Sequence, residues 1–421
     1  MTLDTLGNVE IPTPLLREPE RGRHSPALDG IRGLAVIMVM AHHWTFLNGS
    51  RNPFDQTLTS AMNWGWIGVE LFFVLSGFLI TGILLDSRGR SHFFRDFYAR
   101  RTLRIFPLYY AFLFAFLVLP RWLHGQALAE RNLLGPDQPS ALWYWTYLSN
   151  FLLARKDYYS VLGPTWSLAV EEQFYWLWPV VVLLSGRRLA KVCCWLIGLS
   201  IAIRLAMALY GAEYPTEYVL MPSHMDGLLV GALVSLRARS AGGMLSLRRP
   251  ALFAGAVNIL VIAVCTFVAW RQGKTVREDI WTQTIIYTTI ALLGGSILIH
   301  AAISSSSTLI GRIFCNPFLR SFGKYSFAIY LFNRPVYLIF SRLSKDWHWP
   351  VLLGSHLPEQ VATYALCSII VFVCGWLSWH LFEVHFLKLK KFFPAAASDP
   401  TDTTSLQASE TPTLLALETG T

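Results

Sequence analysis

Charge is scarce in this chain. Only 14% of its 421 residues are Asp, Glu, Lys or Arg, against about 25% in a typical soluble domain. The apolar share of 53% and the mean hydropathy of +0.42 point the same way and exclude an ordinary soluble fold. A cysteine framework is missing too. Cys193, Cys194, Cys265, Cys315, Cys367 and Cys374 form no CxxC pair, and none lies near a histidine at zinc-ligand spacing, so neither a disulfide scaffold nor a metal site is expected. They read as buried small hydrophobes. The N-terminus has no apolar stretch of the kind a cleavable signal peptide needs. Residues 1–26 are polar and Pro-rich and are expected to be a disordered cytoplasmic segment. The inverted repeats frequent in transporters are not visible. The net charge of +9 does not imply a nucleic-acid partner, because the basic residues cluster between apolar runs as topology signals do.

What the chain does have is long apolar runs. A bilayer core about 30 Å thick takes roughly 20 apolar residues per helix. The runs predict an all-α polytopic membrane protein with about ten transmembrane helices, placed near 30–48, 66–85, 105–122, 168–185, 190–210, 219–237, 251–270, 281–303, 323–342 and 362–386. They form one membrane domain over 27–392, and the Ser-, Thr- and Ala-rich tail 393–421 is expected to be disordered and cytoplasmic. The apolar piece Leu142–Leu153 is too short to span and suits an interfacial or re-entrant segment. No long segment follows the tenth span, so an appended extracytoplasmic hydrolase-like domain is not expected. With both termini in the cytoplasm, Arg88, Arg90, Arg95, Arg100, Arg101 and Arg104, the Arg187-Arg188-Lys191 cluster and Lys388, Lys390 and Lys391 all fall inside, as the positive-inside rule asks. The longest outer loop, about 123–165, is large enough to cover a site. Most of the 16 Trp and 16 Tyr suit interfacial belts.

The first span carries Arg32 and His43, eleven residues apart. At about 100° per residue this is three turns plus roughly 20°, so both lie on one face, separated by a rise of about 16 Å. His42 points roughly 80° away, which favours His43 as the working histidine. An ionisable residue inside a membrane is costly and normally faces a bundle interior or a wet cavity. The alternative is an Arg that snorkels to the headgroups and a His at the outer interface. Imidazole titrates near neutrality and suits a general base for a hydroxyl nucleophile. Arg101 and Arg104, at spacing i, i+3, share a helix face and form a fork suited to phosphates, or else a topology signal. Ser167, Glu171 and Tyr175, at i, i+4 and i+8, make one polar stripe with Glu172 beside it. A carboxylate there would hold His43 in its working tautomer, with Glu171 slightly preferred; alternatively Ser167 caps a helix and the acids favour its positive end. Asp226 at this depth needs a partner, and Arg204 on the fifth span is the candidate for a structural pair.

Five stretches occur in an order that resembles acyltransferase family three, a family of membrane enzymes that acylate glycans and other hydroxyl acceptors. Beside the Arg32 to His43 spacing they are Gly68-Val69-Glu70-Leu71-Phe72-Phe73, Arg101-Thr102-Leu103-Arg104, Trp166-Ser167-Leu168-Ala169-Val170-Glu171-Glu172-Gln173-Phe174-Tyr175, Asp226-Gly227-Leu228 and Gly323-Lys324-Tyr325-Ser326. The likeness runs over about 27–390. It implies an O-acyltransferase of the bacterial cytoplasmic membrane that takes an acyl group, acetyl by expectation, from cytoplasmic acyl-CoA and places it on a carbohydrate or glycolipid outside. It implies that Arg101 and Arg104 hold the donor. On this reading Arg32 stabilises charge or orients the thioester, His43 is the base or a transient acyl carrier, and Glu171 or Glu172 supports it. Ser167, Tyr175, Glu70, Trp166 and Asn333 are the expected substrate contacts. Glu70 stands where the family has Asp, and is read as a partner of His43 or Arg32 or as an interfacial residue. Asn333 stands where the family often has His, and cannot act as a base near pH 7; this concentrates the chemistry on His43. His385, where Pro is usual, is read as boundary structure. A transporter or flippase of a lipid-linked or acylated substrate is the alternative function, and a non-catalytic scaffold has little use for Arg32 and His43 on one face.

Overall fold

A computed structural model of the protein describes residues 25–45, 47, 50–119, 122, 140–156, 161–212, 214–276 and 279–394. Most of the expected disordered ends, and much of the expected outer loop, lie outside the described residues. Every described element is helical apart from an isolated bridge between Leu352 and Ser355. Each of the ten expected segments contains a helix: α1 Pro26–His43, α2 Ile67–Asp86, α3 Phe93–Leu113, α4 Thr165–Ser185, α5 Leu189–Leu209, α6 Asp226–Ala238, α7 Arg248–Arg271, α8 Ile280–Ile303, α9 Ser326–Leu343 and α10 Leu357–Ser378.

Among the described residues, six helical segments are long and apolar enough to cross a membrane: Pro53–Asp86, Phe93–Val118, Thr165–Leu209, Met244–Arg271, Trp281–Ile303 and Leu357–Phe392. Thr165–Leu209 holds both α4 and α5, which meet at Gly186, whose φ of 54° is one an L side chain rarely adopts. The helices that fall short of this measure are α1, α6 and α9. α1 carries Asp29, Arg32, His42 and His43. α9 carries Asn333, Arg334 and Pro335. α6 has only 13 residues, about 20 Å of helix. Most of the residues of α6 are buried, whereas α7 is largely exposed along its apolar surface.

Several boundaries differ from the sequence expectation. α3 begins at Phe93 rather than near 105, so Arg101 and Arg104 lie within a continuous helix and not at its end. The segment expected at 219–237 starts with a short helix Thr216–Val219 and a turn Met221–Ser223 before α6 begins at Asp226. α4 begins at Thr165, so Ser167 sits in the first turn instead of capping it. Leu142–Leu153 falls into the short helices Leu142–Trp145 and Ser149–Lys156, broken at Tyr147, whose φ of 55° interrupts any span.

Close helix approach fixes the bundle. α2 packs most extensively on α6, and α1 on the short helix Pro317–Lys324. At Gly77 a Cβ would run into the backbone of Leu228, and at Gly231 into the backbone of Val74, so the α2–α6 contact depends on both glycines. Arg204 and Asp226 form the expected pair. The guanidinium donates to both carboxylate oxygens at 2.9 and 3.3 Å, and to the carbonyls of Ser223 and Thr284. Both side chains are about 1% exposed. Asp226→Ala would strand a buried guanidinium, and is expected to cost about 3–5 kcal/mol of stability. A thermal unfolding midpoint in detergent equal to wild type would contradict this.

Candidate active site

Most of the expected site residues line two cavities, and Glu70, Glu172 and Asn333 line neither. The first, of about 130 Å³, lies between α1, α2, α3, α4 and α9, and is lined by Arg32, Arg101, Arg104, Ser76, Ser167, Glu171, Tyr175 and Tyr330 among apolar neighbours. The stripe predicted on α4 is therefore real: Ser167, Glu171 and Tyr175 all face this space. Arg32 donates to Asp29 at 3.3 Å one turn earlier. Arg101 lies 5.1 Å over the Tyr175 ring and Arg104 lies 5.8 Å over Trp379. Trp379 belongs to a π-helical turn, Trp379–Glu383, that continues α10, a local irregularity frequent at functional sites. Glu171 lies within electrostatic reach of Arg101 and Arg32 and beside Ser76 and Tyr175, whose hydroxyls bond to each other. The lining itself holds three arginines and one glutamate, while Asp29 pairs with Arg32 and Glu383 acts on Arg104 from beside the cavity.

The second cavity, of about 40 Å³, is lined by His42, His43, Val39, Trp66, Val69, Gly163, Pro164, Trp166, Tyr218, Tyr330 and Arg334. Both neighbouring histidines reach it, so the 80° separation along α1 does not remove His42. His43 Nδ1 lies 2.6 Å from Asn333 Oδ1. The Asn333 side-chain amide donates to the Tyr330 carbonyl. That carbonyl can only accept, so the Asn333 oxygen faces the imidazole and accepts from Nδ1–H. The tautomer then carries its lone pair on Nε2. Asn333 is fully buried, and its own carbonyl accepts from Trp44 Nε1 at 3.0 Å. Gln360 on α10 donates to the Trp44 carbonyl at 2.7 Å. The end of α1 is thus tied to α9 and α10, and His43 is oriented by that frame.

The structure separates residues that the sequence placed together. Arg32 and His43 share a helix face but open on different cavities. Glu171 lies with the arginines. Glu172 is buried about 100° further round α4, close to Tyr109 and Tyr147. The residue brought to His43 is Asn333, which sequence reasoning treated as a substrate contact. Glu70 is brought to neither His43 nor Arg32: it bonds His224 Nε2, with both side chains fully buried. Phe73, Trp166, Tyr218 and Tyr287 pack around that imidazole. Trp166 links the two regions, since it lines the histidine cavity and touches His224. Sequence reasoning missed His224, although it lies two residues before the Asp226-Gly227-Leu228 motif. It also gave no role to Tyr330, whose hydroxyl lies 2.5 Å from Ser167 Oγ. Among the described residues, no group of three or more His, Cys, Asp or Glu is arranged to hold a metal ion.

A family model described as an acyltransferase domain matches residues 25–380. The chain is 27% identical over 395 residues to a putative peptidoglycan O-acetyltransferase of Bacillus subtilis, covering 88% of this chain and 56% of that protein. It is 29% identical over 341 residues to a peptidoglycan O-acetyltransferase of Listeria monocytogenes, covering 75% of this chain and 49% of the other. A putative O-acetyltransferase of Staphylococcus aureus is 25% identical over 389 residues, covering 87% and 58%. The chain spans about half the length of the curated relatives it matches. No solved structure matches it. The family match takes in α1 through α10 and every residue of both cavities, on a framework of apolar helical segments that cross the membrane more than once. This multi-pass membrane protein belongs to acyltransferase family three.

Proposed function

We propose that the protein is a membrane O-acetyltransferase of ten spans, with both termini in the cytoplasm, that takes acetyl from cytoplasmic acetyl-CoA and places it on a hydroxyl of an extracytoplasmic glycan of the cell envelope. The observation that carries this reading is the His43–Asn333 bond in a cavity adjoining one lined by three arginines. Arg101 and Arg104 hold the donor's phosphates, and Arg32 adds positive charge further along the thioester arm. His43 Nε2 takes the proton of the acceptor hydroxyl, whose oxygen attacks the thioester carbonyl. The tetrahedral intermediate collapses with cleavage of the C–S bond, and the departing thiolate takes the proton back from the imidazolium. Asn333 fills the orienting place that a carboxylate holds in other triads, as asparagine does in cysteine proteases. Glu171 acts in the arginine cavity, offsetting part of its charge when no donor is bound. Trp166 offers an apolar ring to the acceptor. The relatives named as peptidoglycan O-acetyltransferases make peptidoglycan the first acceptor to test.

Two measurements test this. Mass spectrometry of envelope glycans from cells with and without the gene is expected to show ester-linked acetate lost in its absence; an unchanged acetate content would contradict the function. Asn333→Ala is expected to lower kcat roughly 10²-fold with little change in KM, at the lower end of what an oriented base supplies. A raised KM with unchanged kcat would return Asn333 to substrate binding.

A further inference from the structure

The arginine and histidine cavities share two lining residues, Val69 of α2 and Tyr330 of α9. They are 7% and 6% exposed. Tyr330 is firmly held. Its hydroxyl lies 2.5 Å from Ser167 Oγ and donates to the Pro164 carbonyl at 3.2 Å, while Phe72 packs edge-on with ring centroids 6.0 Å apart. Its backbone carbonyl holds the Asn333 amide that orients His43. Val69 is β-branched and therefore stiff at χ1 within a helix. Two restrained side chains thus form the wall between the charged cavity and the imidazole. Beyond that wall the space is small. At about 10–15 Å³ per enclosed water-sized group, the 40 Å³ of the histidine cavity takes roughly three such groups, the number of heavy atoms in an acetyl unit.

Resting on the acyltransferase reading, we propose that Val69 and Tyr330 form the constriction through which the acyl end of the donor reaches His43, and that they set the acyl-chain length, admitting acetyl and excluding longer straight chains. Val69 determines the width, because its methyl groups cap the gap opposite a tyrosine that Ser167 and Pro164 hold in place. Tyr330 acts through its ring, so removal of the hydroxyl alone changes selectivity less than removal of the ring.

The test uses the full-length chain in proteoliposomes loaded with peptidoglycan fragments as acceptor and supplied in turn with acetyl-, propionyl- and butyryl-CoA, with release of CoA thiol as the readout. A methylene in an apolar site discriminates by about 10–200-fold. Wild type is therefore expected to prefer acetyl over propionyl and butyryl. Val69→Ala is expected to raise the butyryl-to-acetyl ratio by about tenfold or more, and Val69→Ile to lower the propionyl-to-acetyl ratio. Tyr330→Ala should relax the ratio, whereas Tyr330→Phe should leave it close to wild type. The two Val69 changes differ in sign, which a general loss of folding would not produce. Acetyl-CoA turnover with the same donor ratios in wild type, Val69→Ala and Val69→Ile would overturn the constriction and leave the acyltransferase reading standing. Absence of thiol release from every donor by wild type would overturn both.

Discussion

Replacement of His43 by Ala is expected to lower acyl transfer about 10²–10⁴-fold, the contribution of a positioned general base. The effect arises at the imidazole and not at the fold. His43 is half-buried at the end of α1, and its bond to Asn333 is one of several ties between that end and α9 and α10. Removing the ring leaves the buried Asn333 oxygen without its donor, at a cost of about 1–3 kcal/mol in stability. His43→Gln keeps a donor in this region without supplying a base, so it separates the two effects. Both variants should lose activity equally, while the glutamine variant unfolds nearer to wild type. Activity of His43→Ala close to wild type, in protein shown to be inserted, would remove His43 from the mechanism. The same series on His42, which lines the same cavity, is expected to cost far less.

The Arg101→Ala/Arg104→Ala double variant is expected to bind acetyl-CoA about 10²–10⁴-fold more weakly. A hydrogen bond to a charged group is worth about 1.5–3 kcal/mol, so two amount to about 3–6 kcal/mol. Both guanidiniums face the same cavity with Arg32, and the aromatic rings of Tyr175 and Trp379 hold two of them in place. Paired replacement by Lys keeps the charge but loses the fork and its stacking, and should recover only part of the affinity. Calorimetric titration of detergent-purified protein with acetyl-CoA measures this. Unchanged affinity in the double Ala variant would place the donor elsewhere.

Much of this site was legible because helical periodicity carries a face. Ser167, Glu171 and Tyr175 recur at intervals of four, and they do line one cavity. Arg204 and Asp226 were paired from the cost of burying a charge, and their bond is bidentate. The family likeness, read from short motifs, holds across residues 25–380. Periodicity says nothing, however, about which neighbouring helix a face meets. The spacing of Arg32 and His43 gave a common face, but Val69 and Tyr330 divide the space in front of it. A carboxylate was sought for His43 on α4 because acids are the usual partners of imidazole, whereas the contact comes from α9, 290 positions along the chain. Glu70 and His224 are separated by 154 positions and meet only through the close packing of α2 and α6 that Gly77 and Gly231 permit. Apolar runs place spans at α1, α6 and α9, yet all three fall outside the six segments long and apolar enough to cross a membrane, because α1 and α9 carry charged and polar residues and α6 has 13 residues.

On the proposed function the chain consumes a thioester on one side of the membrane and delivers an ester on the other. The most direct test loads proteoliposomes of the full-length chain with peptidoglycan fragments and adds isotope-labelled acetyl-CoA outside, on the face of Arg101 and Arg104. The expected result is free CoA thiol outside and labelled ester-linked acetate on the enclosed glycan, in equal amounts, with both lost in His43→Ala. Intact labelled acetyl-CoA inside the vesicles, with no thiol released and no ester formed, would contradict the account and identify a transporter instead.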